Sequence, residues 1–373
     1  MSWNNGRRRH RPPLSGSRPI ASPAHSDAGL PWSPAHPVLE VLRARRAAGS
    51  KPGARDDGLK VGLAIEGGGL RGVVSGAMLT AVEDLGFADA FDDVYACSSG
   101  AVNGAYFIAR RTWFPLSIYF DDLTDPAFLD FRRVLRREGP MNLAYVFEEV
   151  LVRRKPLDYA AIIAAAQRLH VMVTDVDALK TLDVSDFSTP DDVREALRAS
   201  TWLPLAIKGT TTFRGHRAID GGVLRFHPFR AAVEDRCTHV LSLSTRPIAP
   251  PRTGVSVVDR LAARHLERMR PGLGSGFTAS MVQYLAEDRP YLARSRQSPD
   301  ASPAVLDLAP LPGTPEVKRH EVDRGKLLDG ARSAYRMAHL ALEGVDAQVV
   351  PRLTVVRSGV VPDPGPAAGE PMP

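Results

Sequence analysis

The feature that most restricts the fold of this chain is an apolar run from Val61 to Ile65 that meets three consecutive glycines, Gly67 to Gly69. A helical pattern follows over residues 71–86, so the segment predicts a strand, a tight turn and a helix. Glycines in such a turn bring backbone N–H groups together around a negative charge. The sequence alone allows two charges here, a nucleotide phosphate or an oxyanion that forms only during a reaction.

Short apolar segments alternate with helical segments from Leu59 onward. Further strands are predicted at residues 92–97, 169–176 and 238–245, with a helix at about residues 99–110. This alternation is typical of an α/β fold with a mostly parallel central sheet. Right-handed crossovers would bring the carboxyl ends of neighbouring strands to one edge of the sheet, where the turns that follow can form a site.

The charge of the chain is concentrated near its N-terminus. The net charge is +6, and residues 1–57 alone hold ten Lys or Arg against four Asp or Glu. This Pro- and Arg-rich segment is predicted to be a largely disordered leader, although residues 36–48 could form a short helix. Residues 58–357 are predicted to form one domain, and residues 358–373 a flexible tail rich in Pro and Gly.

The composition disfavours two kinds of protein. No apolar run approaches the roughly 18 residues that a membrane-spanning helix needs, and the basic start of the chain lacks the apolar core of a secretory signal. The two cysteines, Cys97 and Cys237, show neither a disulfide framework nor the spacing of a metal site. We therefore expect a cytoplasmic protein without a bound metal and without a specific nucleic-acid partner.

A second turn carries the candidate nucleophile. The strand at residues 92–97 leads into Ser98, with Ala96 two residues before the serine and Gly100 two residues after it. A sharp strand-to-helix turn of this type needs small neighbours, exposes the hydroxyl and directs the next N–H group at the same point. A nucleophilic serine requires that geometry, but a serine that merely caps the helix would show the same pattern.

Taken together, the two turns favour the oxyanion over the phosphate. The glycines of residues 67–72 match the G-x-G-x-x-G fingerprint of a dinucleotide site, with Gly72 as its last glycine. Such a site also needs an acidic residue at the end of the second strand. The second strand here ends in YACSSG, which contains no carboxylate. The N–H groups of Gly68 and Gly69 could instead face Ser98. Arg71 would add positive charge near the loop or anchor the turn.

The candidate proton acceptor is Asp220. None of the ten histidines lies in a recognisable loop after a strand, as a serine–histidine triad would need. Asp220 ends a short apolar stretch and precedes Gly221 and Gly222, so its backbone can approach another segment closely. A simple Asp-Gly turn would show the same residues. Asp175 is a competing carboxylate, which we interpret as a turn or cap residue.

Four segments, in order, resemble the patatin-like phospholipase family. EGGGLRG at residues 66–72 is similar to its glycine-rich oxyanion loop, and ACSSGAVNG at residues 96–104 to its nucleophile elbow. ALRASTWLPLAI at residues 196–207 and IDGGV at residues 219–223 are similar to its Ala-Ser…Pro segment and its Asp-Gly-Gly element. The resemblance covers roughly residues 60–230, and the chain looks closest to bacterial single-domain members.

The resemblance implies a three-layer α/β/α sandwich akin to the catalytic domain of cytosolic phospholipase A2. It also implies a Ser-Asp dyad, carried here by Ser98 and Asp220, and an oxyanion hole at Gly67 to Gly69 with Arg71 beside it. The implied activity is that of a phospholipase A, a lysophospholipase or an esterase, with no cofactor and no metal. Because its substrates would be lipid esters, transient contact with a membrane surface is expected.

The chain departs from the family pattern in two places. Ala96 replaces the first glycine of the elbow, and VLRFHP follows Gly222 where relatives commonly have an Asn-rich stretch. The second departure leaves the shape of the acyl or headgroup pocket open. Two other hypotheses also stay open: a nucleotide-binding oxidoreductase that uses the glycines of residues 67–72, and a catalytically silent protein with the same fold.

Overall fold

The computed structural model describes most of the chain between residues 29 and 353. The described residues are 29–136, 138–248, 254–298, 302–347, 350 and 353. The chain divides into a compact unit that begins at Pro31 and an N-terminal stretch, Met1–Leu30, of which two residues are described. The predicted tail at residues 358–373 and the leader up to residue 28 lie outside the described residues.

Eight strands and eleven α-helices make up the described part of the compact unit. The strands are β1 (Val61–Ile65), β2 (Asp93–Cys97), β3 (Arg168–Asp175), β4 (Lys180–Val184), β5 (Thr211–Phe213), β6 (His216–Asp220), β7 (His239–Leu243) and β8 (Ala304–Leu308). The helices are α1 (Pro37–Ala47), α2 (Val73–Asp84), α3 (Ser99–Ile108), α4 (Trp113–Asp121), α5 (Tyr159–Ala164), α6 (Pro190–Ser200), α7 (Phe229–Glu234), α8 (Val257–Met269), α9 (Leu273–Gln283), α10 (Arg289–Ser295) and α11 (Arg324–Glu343).

The strands form one mixed sheet in the order β5-β6-β3-β2-β1-β7-β8, and β4 pairs with β3 off this path. The five strands from β3 to β8 along that order pair in parallel. The pairings of β4, β5 and β6 are antiparallel. The predicted mostly parallel sheet is confirmed. The three antiparallel strands were not predicted as strands, because they are short and partly polar.

One register in the sheet positions the candidate site. Met172 of β3 pairs with Cys97 of β2, and the next residue, Val173, pairs with Asp220 of β6. Strand β4 pairs with the other side of β3 at both Met172 and Val173. Strands β2 and β6 therefore meet end to end along one edge of β3. Because Ser98 follows Cys97 directly, this register brings Ser98 and Asp220 together.

Helices cover both faces of the sheet, which completes the predicted three-layer α/β/α sandwich. On one face α7 and α10 pack against alternate strand residues, including Ala64, Tyr95 and Val240, all fully buried. On the other face α3 packs closely, because Gly104 allows the side chains of Ile65 and Val94 to approach. Helices α2 and α11 pack against each other, and α2 also packs against α3.

The compact unit begins earlier than the sequence predicts. Helix α1 lies inside the segment interpreted as a leader and packs against β7, β8 and α11. Its Arg45 is buried and pairs with Asp57 and Asp92. The apolar face of the helix is fully buried at Val38, Leu39 and Leu42. The predicted domain boundary at residue 58 therefore differs from the structure, since a buried amphipathic helix precedes it.

The region between α3 and β3 is helical and irregular. It contains α4, a 3-10 helix at Phe131–Arg136, a π-helix at Tyr145–Arg154 and α5. In the part of the chain that the structure describes, no helix is both long enough and apolar enough to cross a membrane.

Candidate active site

Ser98 lies on a strained turn between β2 and α3. Its backbone has φ 56° and ψ −138°, a region that non-glycine residues rarely adopt. Ser98 is also the residue before the first turn of α3, so its side chain sits at the positive end of the helix dipole. Its own N–H donates to the Ser200 hydroxyl at 2.9 Å, which in turn donates to the Met172 carbonyl at 2.7 Å. These bonds hold the strained turn in place.

The Ser98 hydroxyl donates a hydrogen bond to Asp220, with 2.6 Å between Oγ and Oδ2. The other carboxylate oxygen, Oδ1, accepts from the Gly222 N–H at 2.7 Å. The backbone of Asp220 is fixed as well, because its N–H donates to the Trp202 carbonyl and its carbonyl accepts from the Thr174 hydroxyl. Both oxygens of the carboxylate therefore have defined roles.

Burial makes Asp220 a stronger base than an ordinary aspartate. The residue is 2% exposed, and loss of hydration raises the pKa of its carboxyl group to about 6. The hydrogen bonds from Ser98 and Gly222, and the more distant charge of Arg319, act in the opposite direction but do not cancel the effect. The carboxylate is thus still ionised at neutral pH and has a pKa suited to accept a proton.

The glycines around the turn leave no room for side chains. A Cβ atom on Gly67 would lie 2.5 Å from the Cys97 carbonyl oxygen and 2.7 Å from Ser98 Cβ. A Cβ atom on Gly100 would lie 2.6 Å from the Ile65 carbonyl oxygen, and one on Gly221 would lie 2.1 Å from the Met172 carbonyl oxygen. The backbone segments can approach only because these residues are glycines. Ala96, the departure from the family pattern, is fully buried in β2.

The N–H groups of the glycine loop have different neighbours. The Gly68 N–H donates to the Ser99 hydroxyl at 3.0 Å. The Gly67 N–H faces the buried Cys97 thiol, whose pKa burial raises to about 12. The N–H groups of Gly69 and Ser99 have no acceptor among the residues that the structure describes. Gly69, with φ 61°, lines the space around Ser98.

Arg71 lies behind the loop and does not contact Ser98. Its guanidinium packs against Gly68, and its Nε donates to the Thr245 hydroxyl at 3.2 Å. Burial lowers the pKa of Arg71 to about 9. Of the two roles expected for Arg71, this placement fits an anchor of the turn, because Arg71 does not line the space around Ser98 as a member of the oxyanion hole would.

Glu66 ties the start of the glycine loop to the segment after β7. Its Oε2 accepts from the N–H of Thr245 at 2.6 Å, and its Oε1 forms an ion pair with Arg246. Burial alone would raise the pKa of Glu66, but the guanidinium of Arg246 overcomes that effect and the pKa falls to about 2. The carboxylate therefore stays charged and holds the loop at every pH at which the protein is ordinarily handled.

Two chambers meet at Ser98. The first is apolar, and its walls come from α3, α4 and the irregular region that follows: Val102, Ile118, Leu123, Phe128, Met141 and Phe147. The second is more polar and contains Asp220, Arg246, Asp259 and Arg319 beside the glycine loop. Leu203, in the segment before β5, lines both chambers.

The competing proton acceptors lie elsewhere. Asp175 is buried, and its Oδ1 accepts from the N–H groups of Asp177 and Ala178, which makes it the turn residue that the sequence suggested. Among the described residues no histidine forms a hydrogen bond with Ser98. His170 bonds to Asp183, and buried His227 bonds to Ser244.

One cluster in the described residues has the geometry of a metal site, but two basic side chains already occupy it. The ligand atoms of Asp93, His170 and Asp235 lie within 4.8 Å of one another. The Lys60 ammonium lies 3.0 Å from Asp93 and 2.8 Å from Asp235, and Arg168 also pairs with Asp93. Asp93 begins β2, whereas Ser98 follows the last residue of β2. This cluster therefore lies at the opposite end of the strand from the candidate site.

Two site residues were not identified from the sequence. Ser200, which accepts from the Ser98 N–H, belongs to the Ala-Ser…Pro segment that resembles the family, so its signal was present but its role was not. Arg319 lies in the segment between β8 and α11, and its carbonyl accepts from the Leu70 N–H at 3.0 Å. No local motif marks it, because it reaches the site only through the tertiary fold.

The serine and the aspartate of this site lie where β2 and β6 end, in a mixed sheet that helices cover on both faces. Residues 63–233 match the family model described as patatin-like phospholipase. The match covers a little under half of the chain, and members of that family are generally lipid acyl hydrolases.

Searches of known proteins add two findings. The crystal structure of VipD from Legionella pneumophila is similar, with a TM-score of 0.43 and 13% sequence identity over 77% of this chain and 67% of that one. A search of curated proteins found no match.

Proposed function

We propose that this chain hydrolyses carboxylic esters of lipids, with Ser98 as the nucleophile and Asp220 as the proton acceptor. The observation that carries the proposal is the 2.6 Å hydrogen bond between these side chains at the point where the two chambers meet. A serine hydroxyl is a weak nucleophile unless a positioned base accepts its proton. The buried carboxylate of Asp220 supplies that base without a histidine.

The reaction has two halves. In the first, Ser98 Oγ attacks the ester carbonyl carbon while its proton passes to Asp220. The bond to the alcohol then breaks, the alcohol takes the proton from Asp220, and an acyl-Ser98 ester is left. In the second half a water molecule attacks that ester, gives its proton to Asp220, and releases the fatty acid as Ser98 recovers its proton.

The tetrahedral oxyanion needs N–H donors beside Ser98. The N–H groups of Gly69 and Ser99 are free of acceptors among the described residues, and the helix dipole of α3 adds positive potential at the same point. Gly68 positions the loop through its bond to Ser99. Each preorganised donor typically lowers such a barrier by about 3 kcal/mol.

The two chambers suggest how an ester lies in the site. An acyl chain would occupy the apolar chamber, where its removal from water is favourable. The leaving alcohol would then lie in the polar chamber. There Arg246 is paired with Glu66, whereas the exposed side chain of Arg319 has no hydrogen bond or ion pair with any described residue. An unpaired cation at this place favours alcohols that carry a phosphate.

No specific observation favours the nucleotide-binding alternative. The residue after β2 is Ser98 rather than the acidic residue that would hold a ribose. The Gly68 N–H, which would be needed to bind a pyrophosphate, already has Ser99 as its acceptor. A catalytically silent protein with this fold is the outcome against which the proposal has to be tested.

Hydrolysis of a short-chain nitrophenyl ester tests the proposal, with wild type compared to Ser98→Ala and Asp220→Asn. We expect both variants to lose activity by roughly a thousandfold or more, since each removes one member of the Ser98–Asp220 pair and the two side chains act together. Asp175→Asn is the matched control, because it changes a buried carboxylate that lies outside the site, and it should retain activity. Full activity in Ser98→Ala, or none in the wild type, would show the proposal to be wrong.

A further inference from the structure

The 3-10 helix Phe131–Arg136 presents apolar side chains to solvent. Phe131 is 62% exposed, Val134 is 53% exposed and Leu135 is 87% exposed. None of the residues of this helix is buried. Three large apolar side chains within five residues are unusual on the surface of a protein that has no partner there, and such patches commonly mark an interaction site.

A second loop extends the same surface. Leu205 is 53% exposed and has φ 73°, a backbone conformation that leucine rarely adopts. Its loop contacts the segment after the 3-10 helix, because the Met141 N–H donates to the Ala206 carbonyl at 3.0 Å and Gly139 fits against Ala206. We call these four exposed side chains, Phe131, Val134, Leu135 and Leu205, the apolar rim.

The apolar rim lies beside the apolar chamber. The segment that carries the rim helix is flanked by Phe128 and Met141, and both of these residues line the chamber. The two arms of this segment are joined by a bridge between Leu129 and Met141. The loop of Leu205 likewise begins at Leu203, which lines the chamber. Both parts of the rim are thus direct continuations of the chamber wall.

Basic side chains are interleaved with the rim. Arg132, Arg136 and Lys208 are exposed, and none of them forms an ion pair with a residue that the structure describes. Arg133 is different, because it pairs with Glu138 at 3.1 Å. Exposed apolar side chains next to unpaired cations match the chemistry of an anionic bilayer, which offers hydrocarbon below a layer of negative headgroups.

We propose that the apolar rim docks the protein on anionic lipid bilayers, with Phe131, Val134, Leu135 and Leu205 entering the headgroup boundary. Arg132, Arg136 and Lys208 contact the lipid phosphates. In this orientation an acyl chain passes from the bilayer into the apolar chamber without crossing water. That use of the surface rests on the proposed function, whereas binding to lipid requires no hydrolysis and is measured separately.

Co-sedimentation of the full chain with vesicles tests the docking. We expect binding to phosphatidylcholine vesicles that contain phosphatidylglycerol, weaker binding to pure phosphatidylcholine, and a loss of binding as salt is raised. Leu135→Glu should weaken binding at least about tenfold. The double variant Arg132→Ser, Arg136→Ser should weaken it roughly twentyfold, since each basic residue near an anionic leaflet contributes about fivefold.

Val345→Glu is the matched control, because Val345 is 59% exposed but lies after α11, outside the rim. It should bind the vesicles as the wild type does. Every variant keeps the basic leader, so the leader cannot explain a difference between them. Equal melting temperatures would show that all the variants are folded, which is expected because the altered side chains are exposed.

The results separate this proposal from the proposed function. Ser98→Ala should bind the vesicles normally, and the rim variants should hydrolyse a soluble short-chain ester at the wild-type rate. The docking proposal is overturned if the wild type does not bind anionic vesicles. It is also overturned if Leu135→Glu binds as tightly as the wild type, or if Val345→Glu weakens binding as much as Leu135→Glu does. A wild type that binds these vesicles but hydrolyses no ester would overturn only the proposed function.

Discussion

The Ser98 hydroxyl and the Asp220 carboxylate share a hydrogen bond of 2.6 Å although they lie 122 residues apart in the sequence. The contact follows from the sheet: β2 and β6 meet end to end along β3, and each side chain stands at the junction. Ser98 is held there by a strained turn and Asp220 by bonds to both its backbone and its second oxygen. The pair is therefore preorganised rather than a chance contact between mobile side chains.

The first prediction concerns the pH dependence of ester hydrolysis. Because Asp220 must be ionised to accept a proton and burial raises its pKa to about 6, kcat/KM should rise with pH and level off above about pH 7. Below the pKa the carboxyl group is protonated, so activity should fall tenfold for each pH unit. A profile that stays flat down to about pH 4.5, measured on a soluble ester, would mean that another group is the base.

The second prediction concerns stability. A carboxyl group with a higher pKa in the folded protein than in the unfolded chain destabilises the fold once pH exceeds the unfolded value, because the folded state then holds its proton more strongly. Asp220→Asn removes this penalty and keeps an oxygen that can accept from Gly222. Relative to wild type, the variant should gain about 2.5 kcal/mol of unfolding free energy between about pH 4 and pH 8, since one pKa unit corresponds to about 1.4 kcal/mol and a small part of the effect is already present at about pH 4.

Urea unfolding at both pH values measures this difference directly. The comparison of the same variant at two pH values cancels any constant effect of replacing an oxygen by an NH2 group. If Asp220→Asn is inactive but more stable than wild type at high pH, the native carboxylate serves function at a cost in stability, because its ionised form is buried. A constant difference at both pH values would contradict the raised pKa.

The third prediction concerns the crowded turn. Gly100→Ala would place a methyl group 2.6 Å from the Ile65 carbonyl oxygen, and the backbone there cannot move without shifting Ser98. We expect a loss of about 1–3 kcal/mol in stability together with a loss of ester hydrolysis. Gly76→Ala is the control: its methyl group would lie 3.4 Å from the Asn103 side chain, an ordinary contact, and alanine favours the helix by up to about 1 kcal/mol. Thermal melts and ester assays of both variants test the contrast.

The parts of the site that the sequence predicts are those encoded by a local pattern. The strand ends at Ile65 and Cys97, the glycine loop and the turn at Ser98 each have a signature within about ten residues. Asp220 is marked in the sequence only by the two glycines after it, and its pairing with Ser98 was implied by the resemblance to the family. The structure places the side chains of Ser98 and Asp220 within hydrogen-bond distance, whereas the N–H groups of Gly67 and Gly68 face Cys97 and Ser99.

The parts that the sequence does not predict depend on contacts between distant segments. Strand β6 is short and begins with exposed His216 and Arg217, so its sequence pattern does not predict a strand. The bond from Ser98 to Ser200 and the position of Arg319 beside the glycine loop arise from tertiary packing alone. The sequence predicts helix α1 only as a possible helix within a polar leader. Its four apolar side chains lie in a basic segment, and the sequence does not show that β7, β8 and α11 form a surface that buries them.

The last prediction concerns Arg319 and the choice of substrate. Arg319 lines the polar chamber with Ser98 and Asp220, and its side chain is unpaired among the described residues. Replacing it with methionine keeps most of the side-chain length and removes the charge. Arg319→Met should therefore lower kcat/KM for a lysophospholipid by about tenfold or more, because a charge-assisted hydrogen bond to phosphate is lost. Hydrolysis of a neutral ester with the same acyl chain should change little.

The neighbouring Lys318 provides the matched control for Arg319, because it is also an exposed cation but does not line the chamber. Lys318→Met should leave the ratio of the two rates unchanged. If Arg319→Met lowers both rates equally, the side chain acts on the loop or on Asp220 and not on the leaving group. Its carbonyl contact with the N–H of Leu70 is a backbone bond and survives the substitution, so a change in the ratio reports the lost charge.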